Sequence, residues 1–161
     1  MDTWSLISPT ILFVIGLVIF LFVLLKRNYL GIIASLIPFV LLIFTYVYKV
    51  NSYQVSDKYL IINRPISFFN KKINLNEISS AKVLEVNGFK GIVRTFGNGG
   101  LFGYSGSYHS SSLGDFKMYA THQKNLVLIV LKGDEGKIVL SPDDTNLVNA
   151  VCAKIKNYED R

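Results

Sequence analysis

The 161-residue chain carries 17 Lys or Arg against 11 Asp or Glu, a formal net charge of +6 at pH 7, and half of its residues are hydrophobic. Its single cysteine, Cys152, excludes an intrachain disulfide and a thiolate metal cluster. The basic residues are scattered and form no stripe with interleaved aromatic side chains, so we expect no nucleic-acid partner.

The N-terminal part contains two uncharged apolar segments, residues 4–25 and 28–48. A helix of about 20 mostly apolar residues crosses the hydrocarbon core of a bilayer, and both segments reach that length. The apolar part of the first segment exceeds the roughly 7 to 15 residues of a secretory signal, and Lys26 and Arg27 follow it in place of a small-residue cleavage motif. We therefore expect residues 1–48 to be a retained anchor of two transmembrane helices.

The short connection between the two segments predicts a tight antiparallel hairpin. Lys26 and Arg27 would then lie at the turn, and the N-terminus would lie on the same side of the membrane as the domain that follows. Pro38 lies inside the second segment and is expected to kink it. Neither segment contains an ionisable residue, so the anchor offers no candidate proton path or ion site, and we do not expect a transporter.

The expected location is the cell membrane, with the soluble domain in the cytoplasm. Beyond the anchor, residues 49–161 hold 15 basic and 10 acidic side chains, and their net charge of +5 suits the anionic inner leaflet. The lone thiol of Cys152 suits a reducing compartment. The compact pair Lys26 and Arg27 favours the opposite orientation, because positive charges near span ends prefer the cytoplasmic face.

Residues 49–161 form a second unit, in which short β-prone runs precede one helix. The runs are rich in β-branched and aromatic residues and are bounded by turn residues: 51–56, 59–64, 68–75, 81–86, 116–121, 126–131 and 137–140. Ser141 is expected to cap the helix, with Pro142 at its first position. Apolar residues then recur at helical spacing: Leu147, Val148, Val151 and Ile155. This pattern predicts a small barrel or sandwich with the helix across one opening.

A glycine-rich insertion, residues 88–114, breaks this rhythm. It is not a nucleotide-binding loop, because no lysine follows the glycines as in the Gly-Lys-Ser/Thr motif. One interpretation is an ordered excursion whose aromatic side chains pack against the barrel. The other is a contact surface for a lipid headgroup, a peptide or a partner helix. The candidate partner-contact residues are Phe96, Leu101, Phe102, Tyr104 and Tyr108.

Three stretches of the chain resemble the bacterial pleckstrin-homology-like (PH-like) families of short, membrane-anchored proteins. They are residues 53–62, residues 96–104 (FGNGGLFGY) continuing to 113–121, and residues 137–144. The resemblance implies an α+β membrane protein, in which the transmembrane hairpin precedes a strongly bent seven-stranded PH-like β-barrel capped by a C-terminal helix. It does not imply phosphoinositide binding, and the family offers no catalytic residues to transfer.

The function that we expect is a non-enzymatic, membrane-anchored interaction or scaffold module. Its domain would bind a peptide, a partner protein or a second copy of the chain beside the bilayer. An alternative is recognition of a lipid headgroup, for which the candidate residues are Lys71, Lys72 and Arg94. A liposome-binding assay would separate lipid recognition from protein binding.

The other alternative is an enzyme that uses the glycine-rich segment. Its candidate reactants are His109, Ser110, Ser111 and Asp115, but no pair of them has a diagnostic spacing. The second histidine, His122, and His109 have no cysteine or carboxylate partner at ligand spacing, so neither a metal site nor a cofactor is expected.

Overall fold

The computed structural model describes residues 3–27, 29–84, 91–133, 136–144 and 146–159. The first apolar segment is one helix, α1 (Thr3–Leu25), and the second is divided into α2 (Tyr29–Ser35) and α3 (Ile37–Val47). Pro38 lies in the first turn of α3. Because proline has no N–H and its ring obstructs the preceding turn, the helix is interrupted at Leu36. This interruption lies two residues before the predicted kink position, Pro38.

The apolar helices pack against each other as an antiparallel hairpin. A Cβ on Gly16 would lie 3.4 Å from the Phe39 ring, so this position of α1 packs directly against α3. Phe13 meets the same ring edge-on at 5.5 Å. By length and composition, both helical segments, Ser5–Leu25 and Tyr29–Val47, are able to cross a membrane. Only 11% of the most apolar part of each segment is buried in the structure.

The domain begins with a three-stranded antiparallel sheet, in the order β1 (Ser52–Val55), β2 (Tyr59–Asn63) and β3 (Lys71–Asn74). Leu60 and Ile62 alternate with exposed or half-buried neighbours on β2 and are fully buried. The strand predicted at 68–75 is shorter, because a 3₁₀ helix (Ser67–Phe69) precedes it. A second 3₁₀ helix (Leu75–Glu77) leads into the next sheet.

The second sheet has six strands: β4 (Ile78–Val83), β5 (Val93–Gly99), β6 (Tyr104–Ser110), β7 (Gly114–Ala120), β8 (Val127–Leu131) and β9 (Lys137–Leu140). Their order in the sheet is β4-β8-β9-β7-β6-β5. The pairing of β7 with β9 is parallel and the other pairings are antiparallel. The expected bent barrel of seven strands is found instead as two sheets with nine described strands. No barrel is closed among the described strands, because β3 pairs only with β2 and β5 only with β6, whereas a closed barrel has no free edges. Residues 85–86 of the run predicted at 81–86 lie outside the described residues.

The glycine-rich insertion is not an excursion from the sheet, since its described part forms the β5–β6 hairpin. Gly97 and Gly106 lie directly opposite each other in this pair. A Cβ on Gly106 would lie 2.2 Å from the backbone oxygen of Phe96, so these two strands approach more closely than side chains permit. Residues 88–90 of the insertion lie outside the described residues.

Hydrophobic cores lie on both faces of the six-stranded sheet, as the alternation along β8 shows. Val127 and Ile129 face a core shared with the three-stranded sheet and with helix α4 (Asn146–Glu159), which contributes Val151 and Ile155. Leu128 faces the second core. The other buried members of this second core are Tyr108, Phe116, Met118, Ala120, Leu126 and Val139. The C-terminal helix therefore packs on the sheets, as its apolar stripe predicts.

Helix α4 begins later than predicted, and the assignment of Ser141 as its cap is wrong. The backbone N–H of Asn146 donates to Asp144 Oδ1 at 2.9 Å. Ser141 is buried, and its Oγ accepts hydrogen bonds from Thr121 N at 2.7 Å and His122 N at 3.3 Å. Its hydroxyl therefore satisfies the turn that follows β7, not the helix.

We expect Ser141→Ala to lower the free energy of unfolding by about 1–3 kcal/mol, because the N–H groups of the half-buried Thr121 and His122 lose their acceptor. Asp144→Ala is the matched control, and loss of a helix cap costs about 0.5–2 kcal/mol. Amide hydrogen exchange distinguishes the two roles. Protection is expected to fall at Thr121 and His122 in the first variant and in the first turn of α4 in the second; faster exchange in α4 alone for Ser141→Ala would restore the cap assignment.

Candidate interaction site

The turn between β5 and β6 lies against the ends of the apolar helices. The backbone N–H of Phe102 donates to Ser5 O at 3.1 Å, and Ser8 Oγ donates to Gly100 O at 2.9 Å. The Phe102 ring meets Tyr46 edge-on at 5.5 Å. Phe102 is thus a contact residue, but its partner in the structure is the hairpin of the same chain.

A second set of contacts joins the hairpin to the loop between β2 and β3. The Phe69 and Tyr48 rings lie 5.2 Å apart, and the Arg64 guanidinium lies 4.9 Å from the centre of the same Tyr48 ring. Arg64 also lies 5.9 Å from the ring of Tyr119 on β7. A guanidinium over an aromatic face contributes about 0.5–2 kcal/mol, depending on its desolvation. The domain is therefore held to the ends of the apolar helices at two places.

The remaining candidate contact residues do not form one surface. Leu101 is half-buried beside Phe102, and Phe96 is 79% exposed on the edge strand β5. Tyr104 is half-buried against the second core. Tyr108 is buried in that core, and its hydroxyl donates to Asn98 O at 2.7 Å. Tyr108 has a structural role in the described structure, whereas a partner contact by the exposed Phe96 stays a prediction.

Burial raises the pKa of the Tyr108 hydroxyl to about 12, although the nearby Arg94 acts in the opposite direction. The unfolded chain, with a pKa of about 10, loses this proton first as the pH rises. Tyr108 therefore contributes stability that is complete below about pH 10 and is lost as the pH passes through 12. We expect Tyr108→Phe to reduce the loss of stability between about pH 10 and about pH 12, measured by denaturant midpoints. An unchanged pH profile, and an unchanged ultraviolet titration of phenolate, would contradict this assignment.

A groove with a volume of 520 Å³ lies between β3 and the neighbouring strands of the six-stranded sheet. Four lysines from three strands line it: Lys71, Lys72, Lys117 and Lys137. Apolar side chains form much of the remaining wall: Ile73, Phe116, Leu131 and Ile138. The groove combines an apolar lining with a concentration of positive charge.

Two carboxylates, on Glu77 and Asp115, also line this groove. Among the described residues, the ion pairs within 4 Å include none of the four groove lysines. Asp115 instead accepts from His109 Nδ1 at 2.7 Å, and Lys137 Nζ donates to Leu113 O at 2.6 Å. The groove therefore offers ammonium groups that an anionic ligand could approach.

Arg94, the third predicted headgroup residue, is not brought together with Lys71 and Lys72. It lines a different groove, of 410 Å³, with Gly99 and Tyr104. The two lysines that join Lys71 and Lys72 were not predicted. Lys117 and Lys137 lie far away in the sequence, and no local signal marks them as neighbours of β3.

The residues proposed for an enzyme do not form an enclosed site. The side chains of His109 and Asp115 are 52% and 89% exposed, so their pair lies at the open surface. Ser110 is buried, and its Oγ accepts from Leu113 N at 3.1 Å. In the described parts of the chain, no three or more His, Cys, Asp or Glu side chains are grouped so that they could hold a metal ion.

The arrangement is that of a small mixed-sheet domain with a C-terminal helix and a basic groove, carried on an apolar helical hairpin. The family model described as "Bacterial PH domain" matches residues 51–154, and the chain belongs to this family. The resemblance predicted from the sequence is thereby confirmed. No curated protein and no solved structure matches the chain.

Proposed function

We propose that this protein is a membrane-anchored, non-enzymatic interaction module that binds a protein or peptide partner next to the bilayer. The observation that carries the proposal is the packing of the PH domain on the ends of two apolar helices, at Ser5, Tyr46 and Tyr48. With residues 1–48 as the membrane anchor and residues 49–161 as the soluble domain, this packing would hold the domain against the membrane surface.

The loop between β2 and β3 supports such a placement. Phe68 is 87% exposed and Ile66 is 46% exposed, beside the Phe69 ring that contacts Tyr48. Exposed apolar side chains mark surfaces that contact a membrane or a partner. Tyrosine rings favour the headgroup layer, and lysines extend their ammonium groups to the membrane surface. Lys49, whose Nζ lies 4.7 Å from the Tyr46 ring centre, is suited to that position.

A binding role is supported over a catalytic one by the family and by the site. PH-like domains are generally non-catalytic, and the exposed pair of His109 and Asp115 lacks the water-excluding surroundings of an enzyme site. The lipid-headgroup alternative is weakened by the separation of Arg94 from Lys71 and Lys72.

Alkaline carbonate extraction of native membranes tests the anchor. We expect the full chain to stay in the membrane pellet and residues 49–161 alone to be soluble. Chemical cross-linking in the same membranes tests binding, with residues 1–48 carrying the same tag as the control. The proposal requires a protein that is cross-linked to the full chain and not to residues 1–48. Release of the full chain by carbonate would count against the anchor. Identical cross-linked products from the full chain and from residues 1–48 would count against binding by the domain.

The proposed hairpin places the N-terminus and the domain on the same side, and we propose that this side is the cytoplasm. Cys152 is exposed on α4, so the natural thiol can report the orientation. A membrane-impermeant maleimide is expected to label it only after the cells are permeabilised. Labelling of Cys152 in intact cells, absent in Cys152→Ser, would place the domain outside.

A further inference from the structure

The strand β3 has an outer edge with backbone groups directed away from its sheet. Leu75 N donates to Lys58 O at 2.9 Å. In an antiparallel pair, hydrogen-bonded and non-hydrogen-bonded residue pairs alternate, so this bond shows which residues of β3 bond to β2. Ile73 and Lys71 therefore exchange hydrogen bonds with β2, whereas the N–H and C=O groups of Lys72 and Asn74 point outward. Among the described strands, β3 pairs with β2 alone.

This free edge borders the basic groove, because Lys71, Lys72 and Ile73 of β3 line it. Lys71 lies opposite the buried Ile62, so its Cβ is directed to the inner face of the sheet, whereas Lys72 lies opposite Ile61 on the other face. An added strand would thus meet a lysine of β3 on each face. On the inner side it would also meet Lys117.

We propose that an extended acidic peptide pairs with the outer edge of β3 and occupies the lysine-lined groove. This inference rests on the proposed function, and it names the chemical class of the partner. Main-chain hydrogen bonds to Lys72 and Asn74 supply the register, and the peptide's carboxylates meet the lysine ammonium groups. Its apolar side chains lie against Ile138 and the rest of the apolar lining.

The extent of the groove favours a peptide over a lipid headgroup. At one end lies Lys71, two residues after Phe69, which contacts the hairpin. At the other end of the groove lies Lys137, whose Nζ donates to Leu113 O in the β6–β7 turn. This turn lies at one end of β6, and the β5–β6 turn that contacts Ser5 lies at the opposite end. The seven residues of β6 span roughly 20 Å. A headgroup held in the bilayer would therefore reach only the end of the groove at Lys71. A peptide can extend along the whole groove.

Fluorescence anisotropy with the full chain in neutral detergent micelles tests this inference. The probe is a labelled peptide of about eight residues in which Asp and Val alternate, because side chains of an added strand face alternate sides. A second probe has the same sequence with N-methyl groups on alternate backbone nitrogens, which removes hydrogen-bond donors and keeps the charge. A third replaces Asp with Lys.

The site variant is Lys71→Glu with Lys117→Glu, because both lysines lie on the inner side of the β3 edge. Both side chains are exposed, so the fold is expected to persist. The matched control is Lys82→Glu with Lys124→Glu, an equal change of charge at exposed positions outside the groove. We expect the site variant to weaken binding of the acidic peptide at least about tenfold and the control variant less than about twofold. N-methylation is expected to weaken binding at least about tenfold, and the Lys peptide is not expected to bind.

Equal affinities of the two double variants, or no binding of the acidic peptide, would overturn the proposed site. Equal binding of the N-methylated peptide would overturn strand pairing. The assay is repeated in nanodiscs of phosphatidylcholine with and without phosphatidylglycerol; displacement of the peptide by the anionic lipid would assign the groove to headgroups instead. Carbonate extraction of the same variants tests the membrane anchor independently of the groove. A chain that stays in the membrane but binds no acidic peptide would contradict this inference and leave the proposed anchor intact.

Discussion

Gly106→Ala is expected to lower the free energy of unfolding by about 2–6 kcal/mol. Gly106 has a φ of 147°, and an added Cβ would lie 2.2 Å from Phe96 O and 2.8 Å from Gly97 Cα. A strained backbone costs about 1–3 kcal/mol, and an overpacked contact costs about as much again. Since the obstructing atoms belong to the backbone of the facing strand, no side-chain rotation can relieve the contact. The β5–β6 pair must separate or shift.

Gly114→Ala is the control for backbone strain without a clash. Gly114 also has a positive φ, 70°, but no atom lies within 4 Å of an added Cβ. Its substitution is expected to cost about 1–2 kcal/mol. Thermal melts of the full chain in detergent, followed by circular dichroism, measure both variants. If Gly106→Ala proved no more destabilising than Gly114→Ala, the close approach of β5 and β6 would be wrong.

The parts of the fold that follow from local pattern could be predicted from the sequence. The absence of charge over residues 4–25 and 28–48 marks the helices, and β-branched runs mark β2 and β8. The β5–β6 hairpin could not be predicted in this way. Its glycines at 97 and 106 weaken a strand when considered singly, and they become favourable only when two strands place them opposite each other.

The same distinction explains which functional residues the sequence revealed. Lys71 and Lys72 are adjacent, so their shared position was visible. Lys117 and Lys137 reach the same groove through the order of the strands and the parallel pairing of β7 with β9, which no local pattern encodes. Ser141 illustrates a competition between signals. Its sequence context is that of a helix cap, but in the structure its hydroxyl accepts hydrogen bonds from the amides of Thr121 and His122.

Leu60→Ala is expected to cost about 2–5 kcal/mol, because it removes a fully buried side chain from the core between the two sheets. Leu60 lies opposite Ile73 on β3, so the cavity would open beneath the strand that borders the lysine groove. Phe96→Ala is the control: it removes a larger apolar group, but one that is 79% exposed on β5. Its effect on stability is expected to stay within about 0.5 kcal/mol.

Denaturant midpoints of the full chain in neutral micelles compare these two variants. Leu60→Ala is also expected to weaken binding of the acidic peptide less than the double lysine substitution does, because it leaves the charges of the groove in place. A midpoint for Leu60→Ala equal to that of Phe96→Ala would mean that the three-stranded sheet does not pack on the six-stranded one as described. Because β3 is positioned by this packing, the groove beside it would then lose its structural basis as well.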